Sequence, residues 1–507
     1  MRIQAALVGM LCALMSGPAS SQQPLSAIDW LSDSVDPPSQ ALPGADAEAP
    51  VTQSANPPKV TVTVLDAPSP DGLGLLSPDV TGLPRALWSN STIDRLSGLM
   101  RGRPRAVIPA IQDFHTQLML AEADPPIDSS SEGALLLARI DAMLEHARLD
   151  AALALIEEAG PDTPELFRRY FDVTLLTGTE NQACRILKTR PGVAPTYIAR
   201  VFCLARSGDW STAVLTLNTH RVLGDVTPEE EQLISRFLDP ELFEDTEIPP
   251  PDQPTPLVFR IREAIGESQT TSDLPLAFAH ADLRNISGWK FQLDAAERLA
   301  RNNALPANTL QALFTSRTPS ASGGVWDRVE AFQEFDVAMT ARDPVSVART
   351  LPDAWRAMQQ IRAEHLLAEL YADRLRSLPL QGEAERIASL LGLLSRDYEA
   401  VAREANQIPP NLQAIATGQV PQNGTTDPVA MAVLSAFDGA APSEDLMRLA
   451  DDNKLGEALL RAVDMFNAGT AGDLSSLTDA LAFFRAVGLE DLARRAALQV
   501  LILDRPL

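Results

Sequence analysis

The residues that most often do chemistry are sparse in this chain, and none stand at a spacing that would let them act together. The five histidines, His115, His146, His220, His280 and His365, include no His-x-x-x-His pair that would put two imidazoles on one helix face as metal ligands. Each is expected to pack or to solvate a surface. Asp451-Asp452-Asn453-Lys454-Leu455-Gly456 begins like a calcium loop, but Leu455 falls on a ligand position and Ala462 stands where a bidentate glutamate is required. There is no Gly-x-Ser-x-Gly elbow and no glycine loop followed by Lys and Ser or Thr to cradle a phosphate. No metal and no cofactor are expected.

Two cysteines remain once the leader is set aside. Cys184 falls in the second helix of one helix pair and Cys203 in the first helix of the next, and the turn around Arg190 to Pro195 brings such antiparallel neighbours close. In an oxidising compartment the pair is expected to form a disulfide, worth about 3 kcal/mol by loop-closure entropy, with two buried free thiols as the alternative.

The export signal sits at the start. Residues 1–21 read as a signal peptide: Arg2, an apolar run from Ala5 to Met15 too short for a bilayer, and the small-residue site Gly17-Pro18-Ala19. Cys12 leaves with it, since Gly9-Met10-Leu11 lacks the small residues of a lipidation site. The mature chain is expected to be exported without membrane insertion, and periplasmic if the source is a Gram-negative bacterium. With 507 residues and 45% hydrophobic content it can build a large core. Only 5% are aromatic, which suits closely packed Ala- and Leu-rich helices rather than a β-sandwich. A net charge of −25 and a pI near 4.6 argue against nucleic acid as a partner.

Residues 22–85, rich in Pro, Ser, Ala and Asp, read as a disordered tether. Within it Val60, Val62 and Val64 alternate with threonines, a tract that could add to a partner's sheet edge or remain plain linker. Helical patterning starts near Trp88 and fills residues 86–247. A proline-rich stretch, 248–256, reads as a linker to a second helical array at 257–507.

The first array repeats itself. Ala151 with Leu155, Ala183 with Leu187 and Ala213 with Leu217 share one spacing, and Gly178 and Gly208 each precede their alanine by five positions. Gly488 and Ala493 repeat that interval near the end, where Leu489 to Leu503 reads as a closing helix. Phe167 and Tyr197 stand 30 residues apart early in each first helix, and Pro195 closes the second. This resembles the tetratricopeptide repeat, with departures: Arg200 and Val201 stand where that pattern prefers Leu and Gly, and His146 replaces the first turn glycine. The resemblance implies an all-α, helix-pair solenoid or superhelix with a concave face that holds a protein or peptide partner in the cell envelope. Arg168, Asp172, Phe202 and Arg206 are the expected groove residues. A second resemblance is thinner: Glu267-Ser268 is similar to the catalytic pair of the helical lytic transglycosylases, but their Gly-Leu-Met-Gln is missing. A structural spacer of an envelope complex is the third reading.

Overall fold

The computed structural model describes residues 69–101, 108–241, 248–404, 407–420 and 425–503. The expected leader, the Val60–Val64 tract and residues 22–68 of the expected tether lie outside them. Among the described residues there are 25 α-helices and no strand, and Leu76 and Ala121 form the one β-bridge. None of these helices is long and apolar enough to cross a membrane.

The chain runs through α1 (Pro78–Thr81), α2 (Ile93–Met100), α3 (Pro109–Leu120), α4 (Ala134–Glu145), α5 (Leu149–Ala159), α6 (Pro164–Thr177) and α7 (Glu180–Thr189). It continues with α8 (Tyr197–Arg206), α9 (Trp210–Leu223), α10 (Pro228–Leu238), α11 (Pro256–Ala264), α12 (Ala279–Asp282), α13 (Trp289–Arg301) and α14 (Ala307–Thr315). Two long helices follow, α15 (Val325–Ala341) and α16 (Pro344–Ile361), then α17 (Glu364–Arg376), α18 (Glu383–Leu394), α19 (Tyr398–Glu404) and α20 (Pro410–Thr417). The last five are α21 (Pro428–Phe437), α22 (Glu444–Asp451), α23 (Leu455–Thr470), α24 (Leu474–Ala486) and α25 (Glu490–Ile502).

One turn makes most of the tight hairpins. At Ala147, Gly178, Gly208, Arg342, Arg362, Asn453, Gly472 and Gly488 the backbone takes a positive φ. The next N–H then reaches back to the carbonyl five residues earlier, as in Arg148 to Met143, Asp209 to Leu204 and Lys454 to Leu449, at 2.8–3.0 Å. This satisfies a carbonyl that the helix end would leave open and turns the chain at once into the next helix. Five positions after each turn stands a residue with no exposed surface: Ala152, Ala183, Ala213, Val347, Leu367, Ala458, Leu477 and Ala493. The spacing Ala151 to Leu155 is therefore one residue out of register. The equivalents of the later copies are Ala152 and Ile156, both fully buried, and the turn position is Ala147 rather than His146.

Residues 69–85 of the expected tether are described and pack on the helices. A short 3-10 turn at Pro70–Gly72 packs on α4, and Asp71 is wholly buried. Its carboxylate accepts from the Leu136 N–H at 2.9 Å, capping α4 in place of Gly133, which has no side chain to do so. The 248–256 stretch separates helices that still pack together, since α11 and α12 both lie against α6. Glu180, almost wholly buried, accepts from Arg260 at 3.0 Å and forms an ion pair with Arg206 at 3.2 Å, and Arg284 pairs with Glu263 at 2.6 Å. Cys184 and Cys203 are disulfide-bonded, with Cα atoms 5.0 Å apart, and tie α7 to α8.

The first and last helices also meet. α2 packs on α23, and α3 on both α23 and α25. Phe114 meets Phe484 edge-on at 6.0 Å, the Ala110 N–H donates to Gln499 Oε1 at 2.7 Å, and the Gly456 N–H donates to the Leu87 carbonyl at 3.1 Å. A β-carbon at Gly456 would lie 2.5 Å from both the Leu87 oxygen and the Trp88 ring. Gly456→Ala is expected to cost about 1–3 kcal/mol in a urea melt, because fully buried Trp88 has no room to yield.

Candidate functional site

The expected groove is mostly interior. Helix α6 is enclosed by α4, α5, α7, α11 and α12, and every residue from Leu166 to Leu176 is buried. Arg168 and Asp172 are therefore core residues. Phe202 is fully buried too, with Phe171 at 6.3 Å and Phe237 at 5.6 Å between ring centres. Arg206 alone of the four reaches the surface, where its guanidinium covers the Phe202 ring and binds Asn181 and Glu180. A partner cannot read Arg168, Asp172 or Phe202 without unpacking α6 and α8.

Burial shapes the charges of this cluster. Arg169 holds Asp141 through two hydrogen bonds of 2.6 and 2.5 Å. Asp172 Oδ2 is buried without a hydrogen-bond partner among the described residues, and desolvation pushes its carboxyl up to about 7 against the pull of Arg168. A carboxyl raised in this way favours the folded state below its ordinary value of 3.8 and loses that contribution as the pH rises through about 7. Asp172→Asn is thus expected to gain stability relative to the parent between about pH 5 and about pH 8, read by thermal melts across that range. A constant difference between the two proteins would contradict this.

Glu267 is ion-paired. It sits between Arg236 at 2.5 Å and Arg262 at 3.0 Å.

What the packing of first, middle and last helices does create is a cleft of about 680 Å³. Its walls are Asp113 and Thr116 of α3, the α4–α5 turn with Arg148 and Asp150, His280 of α12, Asn303 to Pro306, Glu369 of α17, Arg396 and, from α25, Asp491 and Arg495. Some of these groups are spent on one another. Asp113 accepts from Arg148 and Asn303, each at 2.9 Å, and Asp491 accepts from the Tyr398 hydroxyl at 2.9 Å. His280 Nε2 lies 2.9 Å from the Ala147 carbonyl, and burial holds its imidazole below the ordinary value, so the neutral ring donates there. The side chains of Asp150, Glu369 and Arg396 make no hydrogen bond or ion pair among the described residues, and Arg495 Nε is unpaired. Two carboxylates and the Arg396 guanidinium thus face the cleft unpaired, while Arg495, ion-paired to Asp491 at 4.0 Å, keeps its Nε free.

His115 and His146, 31 positions apart in sequence, are brought together with ring centres 5.1 Å apart. Among the described residues no three His, Cys, Asp or Glu side chains gather as metal ligands. Comparison with known protein families, characterised proteins and solved structures finds no match for this chain.

Proposed function

We propose that this protein is an exported, non-enzymatic helical-repeat scaffold that binds a protein or peptide partner in the cell envelope, holding a segment of that partner in the central cleft. The supporting observation is the cleft itself: about 680 Å³, within the size range of binding sites, with unspent charges of both signs supplied by Asp150 of α5, Glu369 of α17 and Arg396. Mixed donors and acceptors suit the amides and charged side chains of an extended peptide. The net charge of −25 disfavours a nucleic acid.

The test is photo-crosslinking in the native envelope fraction from a benzoylphenylalanine placed at Glu369 or Arg396, with Met431, exposed on α21, as the control position. A discrete adduct at the cleft positions, absent at Met431 and, from the Glu369 position, lost on adding the charge reversal Arg396→Glu, is the expected result. Adducts equal at all three positions, or none from the cleft, would contradict the proposal.

A further inference from the structure

His115 and His146 lie where the first helices meet the last. His115 projects from α3, His146 ends α4, and their rings meet edge to face. The small cavity beside them, about 20 Å³ and so room for one water, is closed on the other side by Leu460, Val463, Asp464 and Asn467 of α23. His146 Nε2 and Gln112 Oε1 are buried there without a hydrogen-bond partner among the described residues. The seam is therefore closed over two imidazoles and an amide that it leaves incompletely satisfied.

The surrounding charges offer an imidazolium little. The nearest cation is Arg148 in the α4–α5 turn, turned toward Asp113 of α3. Glu145 adjoins His146 on α4, and Asp150 of α5 faces the cleft. From α23 comes Asp464, with Arg461 one turn away and held by Glu457. α2 lines the cavity with apolar Leu99, while its Arg95 reaches Glu457. α25 contributes Gln499, already bound to the Ala110 N–H, and Arg495 on the cleft side.

We propose that the His115–His146 pair is an acid-sensitive latch: charging both rings parts α3 from α23 and opens the seam between the two ends of the chain. Burial, with Arg148 adding repulsion, holds His115 down to about 4; burial, His115 and Arg148 together hold His146 down to about 3. Rings whose values are depressed on folding stabilise the closed form fully above the ordinary 6.5, and that stability is lost as the pH falls below it. Asp464, raised to about 6 by burial, works the other way. It gives back some stability as it protonates, and in doing so removes the carboxylate that could have paired with a charged ring. Two imidazoles against one carboxyl leave a net loss. Thr116 and Arg148 line both this cavity and the cleft, so the latch borders the cleft, but it does not depend on what the cleft binds.

The test is native-state hydrogen exchange on the full mature chain at about pH 7.5 and about pH 5, corrected for intrinsic rates. Protection in α3 and α23 is expected to fall by roughly tenfold or more at the lower pH while α15 and α16 hold theirs, and His115→Gln/His146→Gln should abolish the step. His146→Gln alone, with one ring left, should show a smaller step, and it carries the test if the double variant loses its helical circular dichroism. A step that survives in the variants, or that is equal in α15 and α16, would overturn the proposal.

Discussion

Arg139→Met is expected to lower the unfolding free energy by about 3–5 kcal/mol, the largest effect of any single replacement considered. The Arg139 guanidinium has no exposed surface and donates to four backbone carbonyls: Met119 at 2.7 Å, Leu73 at 2.6 Å, Ala121 at 2.9 Å and Asp71 at 3.4 Å. Those carbonyls belong to the two segments that edge the Leu76–Ala121 bridge, and neither has a ladder to satisfy them. Burial draws the guanidinium down to about 10, with Asp71 opposing, so it stays charged at neutral pH. Methionine keeps much of the volume but strands carbonyls in the core. Lysine supplies only one point of donation and should recover little. A urea melt showing less than about 1 kcal/mol of loss would mean that the 69–85 segment is not held this way.

Glu180→Gln comes second, at about 3 kcal/mol, because it leaves the Arg260 and Arg206 guanidiniums facing each other across a buried amide. Arg260 lies beyond the proline-rich 248–256 stretch, so the loss is expected to loosen α11 from α6 and to speed proteolysis near that stretch. A double-mutant cycle with Arg260→Gln should return a coupling of more than about 1 kcal/mol, whereas additivity would remove the pair from the account. The same geometry says what Arg206→Glu would do: it sets a carboxylate against Glu180, so lost binding in that variant would report damage to the fold.

Three of the four hairpin turns that carry glycine, Gly178, Gly208 and Gly488 but not Gly472, are read directly from the chain, because glycine adopts a positive φ without strain. Ala147, Arg342 and Arg362 make the same turn with side chains that ordinarily avoid it, at about 1–2 kcal/mol each, and nothing in their identity announces it, while Asn453 tolerates it better. This is why the turns of the second half at Arg342, Arg362 and Asn453 do not stand out in the sequence, and why the first copy is read one residue out of register. The position of Cys184 and Cys203 on neighbouring antiparallel helices was also legible, since it needs only short-range geometry.

Arg168 and Asp172 misled for a different reason. Two charges on a helix ordinarily mark its wet face, but α6 is covered on every side, and Arg168 and Asp172 attract each other within the interior. The cleft had no local signal at all, because its walls come from Asp113 at one end of the chain and Arg495 at the other.

That juxtaposition is the central claim, and one cross-link tests it. The Asn90 side chain donates to the Asp452 carbonyl at 3.4 Å, although 362 positions separate them. With cysteines at Asn90 and Asp452, a short bismaleimide is expected to link the two sites within one chain, independent of protein concentration, and to shift the mobility of the denatured protein. Links that form only between molecules, or none at all while both thiols remain reactive, would mean that the two ends of the helical chain stand apart and that the cleft does not exist.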